Sequence, residues 1–219
     1  MRKTISRFTA LMLCTGALVG CGGVEQEVEQ EQQTLSTVEQ ATLWRADQVA
    51  TVTAAEGAWG EWKQSFYCKP GAYAIGYRMR VESSQGNGDD TALNSVQLLC
   101  SAPPGGLSEF ISSYDGLWGT WYPEAFCGAS GYLMGATVRM EAPQGSGDDT
   151  GANDVQFTCS NGGTITAPGG QGWGTWMAHQ ACQTGTVVCG LSIRFENNQG
   201  TNGDDSAMNG LRLHCCTKP

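Results

Sequence analysis

Along three stretches of the chain, apolar and polar side chains alternate with a period of two. Met79 and Val81 interleave with Arg78, Arg80 and Glu82; Val138 and Met140 with Arg139 and Glu141; Ile193 and Phe195 with Arg194 and Glu196. Such alternation predicts β-strands with one buried and one polar face. A second strand follows each: Val96-x-Leu98-x-Cys100, Val155-x-Phe157-x-Cys159 and Leu211-x-Leu213-x-Cys215, with every cysteine on the apolar face. Between the paired strands lies a QG-x-G-DD cluster, whose Gly, Asn and Asp residues form turns. Shorter strands are predicted around Ala50 to Ala54, Glu109 to Ser113 and Thr164 to Thr166. The pattern reads as three small antiparallel sheets.

These elements belong to an internal repeat. WGEWKQSFYC (59–68), WGTWYPEAFC (118–127) and WGTWMAHQAC (173–182) each carry a cysteine nine positions after the first tryptophan. The second halves, ending at Cys100, Cys159 and Cys215, match as well, and the one extra residue of the third copy falls at Thr201-Asn202. The copies run over about 47–103, 104–161 and 162–219. Three equivalent sheets, each apolar on one face, have no core alone but gain one by closing around a shared axis. The expected architecture is an all-β, three-sided prism beginning near Asp47.

Cysteine usage completes the closure. Ten cysteines point to an oxidising compartment. With Cys14 and Cys21 set aside in the amino-terminal segment, the repeat pairs Cys68 with Cys100 and Cys127 with Cys159. In the third copy Cys182 and Cys189 face the adjacent Cys215 and Cys216. The repeat favours Cys182 with Cys215, leaving Cys189 for Cys216 and pinning the carboxyl terminus.

The amino terminus reads as an address. Arg2, Lys3 and Arg7 precede an apolar run from Phe8 to Gly20 that is too short to span a bilayer. Leu18-Val19-Gly20-Cys21 resembles the bacterial lipobox, which implies a signal peptide over 1–20 and lipidation of Cys21. The Gly after Cys21 then suggests the outer membrane or cell surface of a Gram-negative bacterium. Residues 21–46 form the lipidated cysteine and a tether, of which EQEVEQEQQ (25–33) has the composition of a solvated segment. Glycine is 31 of 219 residues and charged residues are 15%, which excludes helical bundles and coiled coils. A net charge of −9, becoming −12 once the three cations of residues 1–20 are removed, argues against nucleic-acid partners. Two histidines, His179 and His214, lack partners at catalytic spacing and read as surface residues.

Three constellations recur. The pairs Asp89-Asp90, Asp148-Asp149 and Asp204-Asp205 sit in the Gly-rich turns, where a short carboxylate caps backbone N–H groups. Convergence of the turns at one prism end would also offer carboxylates for sugar contact, Ca²⁺ or acid–base chemistry, although GDDT is too compact for a calcium loop. No metal or other cofactor is called for. Glu82, Glu141 and Glu196 lie two residues after Arg80, Arg139 and Arg194, so each pair shares a strand face as an ion pair, or the Glu caps the following turn. Paired with the Asp residues, the same glutamates would form a two-carboxylate glycosidase site. Trp59, Trp62, Trp118, Trp121, Trp173 and Trp176 offer either core packing or sugar-stacking faces. Asn94, Asn153 and Asn209 hold turns. Gly151, in place of Ala92 and Ala207, and Asp154, in place of Ser95 and Gly210, mark unequal copies.

The threefold WGxW…C…R-x-E-x-x-QG…GDD…N…C pattern, with its terminal double cysteine, resembles the vitelline membrane outer layer protein I family. The resemblance covers about Asp47 to Cys216 and implies a type I β-prism of three Greek-key sheets, secretion, four disulfides and membership of extracellular coats. Carbohydrate binding is the activity expected of this chain, or a coat role without catalysis. The alternative is an enzyme that transfers or cleaves amino-sugar oligosaccharides with the repeated Asp and Glu carboxylates. The partners expected are the membrane, through Cys21, and a glycan.

Overall fold

Every alternating segment forms a strand. A computed structural model describes residues 44–86, 90–102, 108–145, 149–200 and 205–218. The signal, the tether up to residue 43 with Cys21, and Asp89, Asp148 and Asp204 lie outside the described residues. The strands are β1 (Gln48–Glu56), β2 (Glu61–Trp62), β3 (Phe66–Tyr67), β4 (Tyr73–Val81), β5 (Leu93–Ser101), β6 (Glu109–Ser112), β7 (Thr120–Trp121) and β8 (Ala125–Phe126), followed by β9 (Leu133–Met140), β10 (Ala152–Cys159), β11 (Thr164–Thr166), β12 (Thr175–Trp176), β13 (Gln180–Ala181), β14 (Thr186–Phe195) and β15 (Met208–Thr217).

They form three five-stranded antiparallel sheets, and none is built from one repeat. Sheet I takes its long hairpin, β4 and β5, from the first copy and receives β6, β7 and β8 from the second. Sheet II sets β11, β12 and β13 of the third copy beside β9 and β10 of the second. Sheet III closes the circle, with β1, β2 and β3 of the first copy beside β14 and β15 of the third. The repeat predicted three antiparallel sheets, and the structure adds that strands are exchanged between copies. The exchange arises because each WGxW segment lies against the long hairpin of the preceding copy.

The glycine of each WGxW segment permits this docking. Gly60, Gly119 and Gly174 have φ of 73°, 76° and 75°. A Cβ there would stand 2.1–2.3 Å from backbone of Phe195, Val81 or Met140, so no other residue fits. The arginine of each R-x-E motif then clamps the segment. Arg80 donates to the Gly119 carbonyl at 3.2 Å, Arg139 to Gly174 at 3.2 Å and Arg194 to Gly60 at 3.0 Å.

The inner faces meet in one core that includes Tyr77, Met79, Val96, Leu98, Val138, Phe157, Leu191, Ile193, Leu211 and Leu213. Threefold equivalence is broken at its centre. Tyr77 crosses from sheet I to sheet II, where its hydroxyl donates to the Val155 carbonyl and accepts from the Ala167 N–H at 2.8 Å. Burial pushes that phenol well above its usual range.

Three disulfides join neighbouring sheets. Cys68, directly after β3, bonds Cys100 in β5; Cys127, after β8, bonds Cys159 in β10; Cys182, after β13, bonds Cys215 in β15. The fourth, Cys189 to Cys216, links the adjacent strands β14 and β15 within sheet III. All four lie at the end of the prism where the chain enters. There Arg45, 2% exposed, is held by Asp47 at 2.5 and 2.9 Å, by the Ala72 carbonyl and by the Tyr73 ring. The domain's contacts thus extend two residues before Asp47, to Arg45.

Two outcomes follow from this closure. Replacing Cys127 and Cys159 together by Ala costs about 2–5 kcal/mol in a denaturant melt under oxidising conditions. Tyr77→Phe strands the Ala167 N–H and costs about 1–3 kcal/mol, and a neutral result in the same melt would remove the cross-sheet role.

Candidate functional site

The end opposite the disulfides carries the three Gly-rich turns, and each is tied by the same carboxylates. Glu82 accepts from the Thr91 N–H at 3.2 Å and hydroxyl at 2.5 Å, and from Gln85 at 2.7 Å. Glu141 accepts from the N–H and hydroxyl of Thr150 at 3.3 and 2.7 Å. Glu196 accepts from the N–H of Ser206 at 3.2 Å, from its hydroxyl, and from Gln199 at 2.8 Å. The described Asp of each pair is buried and caps the turn start: Asp90 takes the Gln85 N–H at 2.6 Å, Asp149 that of Gln144 at 2.7 Å and Asp205 that of Gln199 at 2.7 Å. The glutamates therefore cap turns, while the neighbouring arginines reach the next segment's glycine carbonyls. No Arg–Glu ion pair within an R-x-E motif occurs among the described residues.

Asn94, Asn153 and Asn209 complete each turn by donating to Thr91, Thr150 and Ser206, all at 2.6 Å. The backbone between these partners is left-handed, with φ of 45° at Ala92, 63° at Gly151 and 47° at Ala207. Gly151 is no neutral variant of alanine, because a Cβ there would approach the Ser206 carbonyl to 2.8 Å.

Each asparagine also receives the segment entering WGxW of the following copy. Its carbonyl accepts from Gly57, Gly116 or Gln171 at 2.6, 3.0 and 2.8 Å, in the order Asn209, Asn94, Asn153. This produces three related junctions at the turn end. One opens into a shallow, solvent-open crevice lined by Thr91, Asn94, Tyr114, Leu117, Trp118 and Phe195, with Glu196, Asn198, Asp205 and Ala207. Tyr114 and Phe195 pack at 4.6 Å between centroids, and Trp118 and Leu117 are 45% and 67% exposed. At the positions of Tyr114 and Leu117 the other copies have Ala55 and Ala58, or Gly169 and Gly172; at that of Phe195 they have Val81 and Met140.

None of the six repeated tryptophans is buried, so the core-packing reading fails. The second of each pair lies beside a cation instead: Trp62 under Arg212 at 3.7 Å, Trp121 under Arg78 at 4.8 Å and Trp176 under Arg139 at 5.9 Å. Of the first set, Trp118 lines the crevice. Tyr114, Leu117 and Phe195 were not singled out from sequence, although aligning the copies shows them as the large residues at otherwise small positions.

Two polar groups depart from expectation. His214 is buried beneath Tyr67, stacked at 4.8 Å and bonded to Thr51 at 2.9 Å, and burial lowers its imidazole to about 4. It points outward, as its strand alternation requires, but the Tyr67 ring covers it; His179 is exposed, beside Thr158 at 3.0 Å. Asp154 replaces an acid that elsewhere comes from the adjoining segment. Glu56 pairs with Arg194 at 2.9 Å in sheet III, and Asp115 accepts from Ser95 at 2.7 Å in sheet I, whereas the equivalent position in sheet II is Gly170. A Cβ at Gly170 would fall 2.2 Å from the Asp154 carboxyl carbon, so the half-buried Asp154 occupies that space. Burial raises its carboxyl to about 6.

A β-prism of three strand-exchanged sheets, capped at one end by carboxylate-tied turns with an aromatic crevice at one junction, is the class this geometry defines. The chain belongs to the vitelline membrane outer layer protein I family, whose model matches residues 48–218. It is 39% identical over 165 residues to a vitelline membrane outer layer protein 1 homolog of Homo sapiens, covering 73% of this chain and 79% of that protein. The Mus musculus homolog is 36% identical over 166 residues, with the same coverage. Among solved structures, Calystegia sepium agglutinin superposes with a TM-score of 0.51 at 15% identity, over 80% of this chain and all of that one. The mannose-binding lectin from Champedak gives 0.51 at 12%, over 78% and 99%. Artocarpin complexed with methyl-α-mannose gives 0.50 at 12%, over 77% and 98%. At these identities the likeness is one of fold.

Two substitutions probe the site's framework. Gly151→Ala is destabilising by about 1–3 kcal/mol, while Ala92→Gly, relieving a left-handed alanine, is neutral or stabilising in the same melt. For Asp154, the native carboxyl keeps a proton that the unfolded chain, with an ordinary carboxyl near 3.8, releases, so the parent loses stability as pH rises from about 4 to 6. Asp154→Asn is therefore more stable than the parent by about 1 kcal/mol at pH 7.5, partial exposure limiting the gain. Urea melts at pH 4 should show the advantage gone.

Proposed function

We propose that this chain is an exported lipoprotein, anchored through Cys21 to the outer membrane, whose β-prism binds glycans without chemistry of its own. The observation that carries this reading is the crevice at the turn end. It offers an apolar wall of Trp118, Tyr114 and Phe195 with the exposed Asn198 among its lining, the combination of ring face and hydrogen-bonding edge that a pyranose requires. The described carboxylates proposed above as acid and base are engaged in turn caps, which favours binding over hydrolysis or transfer. The mannose-binding description of a structural neighbour and the family's connection with an extracellular layer fit a surface glycan or coat role.

The lipobox string, the absence of acid over residues 1–20 and the Gln- and Glu-rich stretch after Cys21 support the anchor. Metabolic labelling with a radiolabelled fatty acid should mark the parent and spare Cys21→Ser. The full chain carrying Cys21→Ser, secreted through an oxidising compartment, should give reproducible hits on a broad glycan array. Trp118→Ala and Tyr114→Ala should weaken them at least about tenfold, while Trp59→Ala and Trp173→Ala leave them. Silence across the array in a correctly oxidised protein would sink the glycan reading and leave the coat role.

A further inference from the structure

The exposed aromatic surface at the crevice continues beyond it. Of nine exposed large hydrophobic side chains among the described residues, five belong to one stretch of the second copy: Phe110, Tyr114, Leu117, Trp118 and Phe126. Tyr114, Leu117 and Trp118 line the crevice, and the chain then passes through Gly119 and Thr120 to Trp121 on the outer face of sheet I. Arg80 secures that passage by donating to the carbonyls of Leu117 at 3.0 Å and Gly119 at 3.2 Å.

On this face the register fixes three rows. Nearest the crevice, Trp121 lies opposite Arg80 and Ser95. In the middle row Arg78 lies opposite Gln97, which faces Ser112. Farthest away, Phe126 and Leu99 flank Gly76, and Leu99 faces Phe110. Gly76 has no room for a side chain, a Cβ there falling 2.9 Å from the Phe126 ring. The Arg78 guanidinium is 3.9 Å from the Phe110 centroid and 4.8 Å from that of Trp121, and Gln97 accepts from its Nε at 2.9 Å. From Arg80 to Gly76 is four residues, roughly 13 Å along the strand, longer than a single pyranose.

The other faces lack this surface. The far row of sheet II holds Thr164, Thr158 and Ala181 about Gly135. In sheet III the row is Thr51, His214 and Tyr67 about Gly190, with the tyrosine and histidine buried on each other.

We infer that the outer face of sheet I is a second saccharide subsite continuous with the crevice, so that the ligand is a linear oligosaccharide whose successive units run from Trp118 past Trp121 and Arg78 to Phe110 and Phe126. This rests on the glycan reading above. Flat rings held apart by a guanidinium suit the ring faces of a sugar chain, and along one edge Gln97 and Ser112 donate to Asp115, whose remaining lone pairs accept from sugar hydroxyls. The ligand is not a polyanion, because the exported chain, of net charge −12, with Glu196 and Asp205 at the crevice, repels one.

The test is calorimetric titration of the Cys21→Ser chain with β-1,4-linked N-acetylglucosamine oligomers of one to six units, and with α-mannose oligomers of the same lengths. In one series affinity should climb at least about tenfold from the single sugar to the tetramer and be unaffected by added salt. Trp121→Ala and Phe110→Ser should flatten that climb while keeping the parent's affinity for the single sugar, whereas Trp118→Ala loses both. Phe110→Ser alters only an exposed side chain, and unchanged thermal unfolding confirms the fold. Binding that does not depend on length, a climb that survives both face variants, or failure of both series overturns the inference. So does a dimer in sedimentation equilibrium that Phe110→Ser abolishes, which would assign the face to a second copy. Array hits lost in Trp118→Ala but without length dependence would leave the crevice reading standing; silence on the array removes both.

Discussion

The structure depends on the docking of each WGxW segment onto the hairpin of the preceding copy. The glycine brings backbone against backbone, the R-x-E arginine grips the glycine carbonyl, and nine residues after the first tryptophan a cysteine fastens the end of the segment to the sheet beyond. Because the exchange runs from copy to copy and returns through β1 and β15, every sheet is incomplete without a neighbour. Three copies therefore form one cooperative unit, and the paired termini are part of the closure. Closing three loops of about thirty residues by disulfides restricts the unfolded chain most where the native contacts are most non-local.

A scaffold repeated three times leaves function to its departures from symmetry. Conserving the turn caps at all three positions keeps the end of the prism rigid, as a binding surface requires. The aromatic side chains then accumulate in one place, between the turns of the first and third copies, and continue onto the sheet that the second copy's segment completes. Elsewhere the equivalent positions carry Ala, Gly, Val or Met, and at Gly169 the space is taken by the Tyr122 ring. The carboxylates that suggested glycosidase chemistry are explained by backbone satisfaction: a turn of glycines and asparagines has N–H groups that need acceptors, and Glu82, Asp90 and their counterparts provide them.

Much of this was legible in the sequence, for identifiable reasons. Period-two alternation located the long strands because one of their faces is buried, and the repeat pointed to a prism because three half-buried sheets need a common core. The exchange of segments between copies was hidden, since a linear repeat does not say which neighbour a short strand pairs with. Burial of His214 was hidden too, because it depends on Tyr67 arriving from another copy. The tryptophans were ambiguous because strand alternation does not survive the left-handed glycine between them. The crevice was readable only as a difference among copies, with Tyr114 and Leu117 large where their counterparts are small.

The central claim is that a threefold scaffold has a single functional junction. Soaking crystals of the Cys21→Ser chain with a saccharide chosen from the array, and locating its density, tests this most directly. The account predicts a pyranose between Trp118, Tyr114 and Phe195, with none at the junctions of Trp59 or Trp173. Equal occupancy at all three junctions, or a sugar bound away from the turn end, would contradict it.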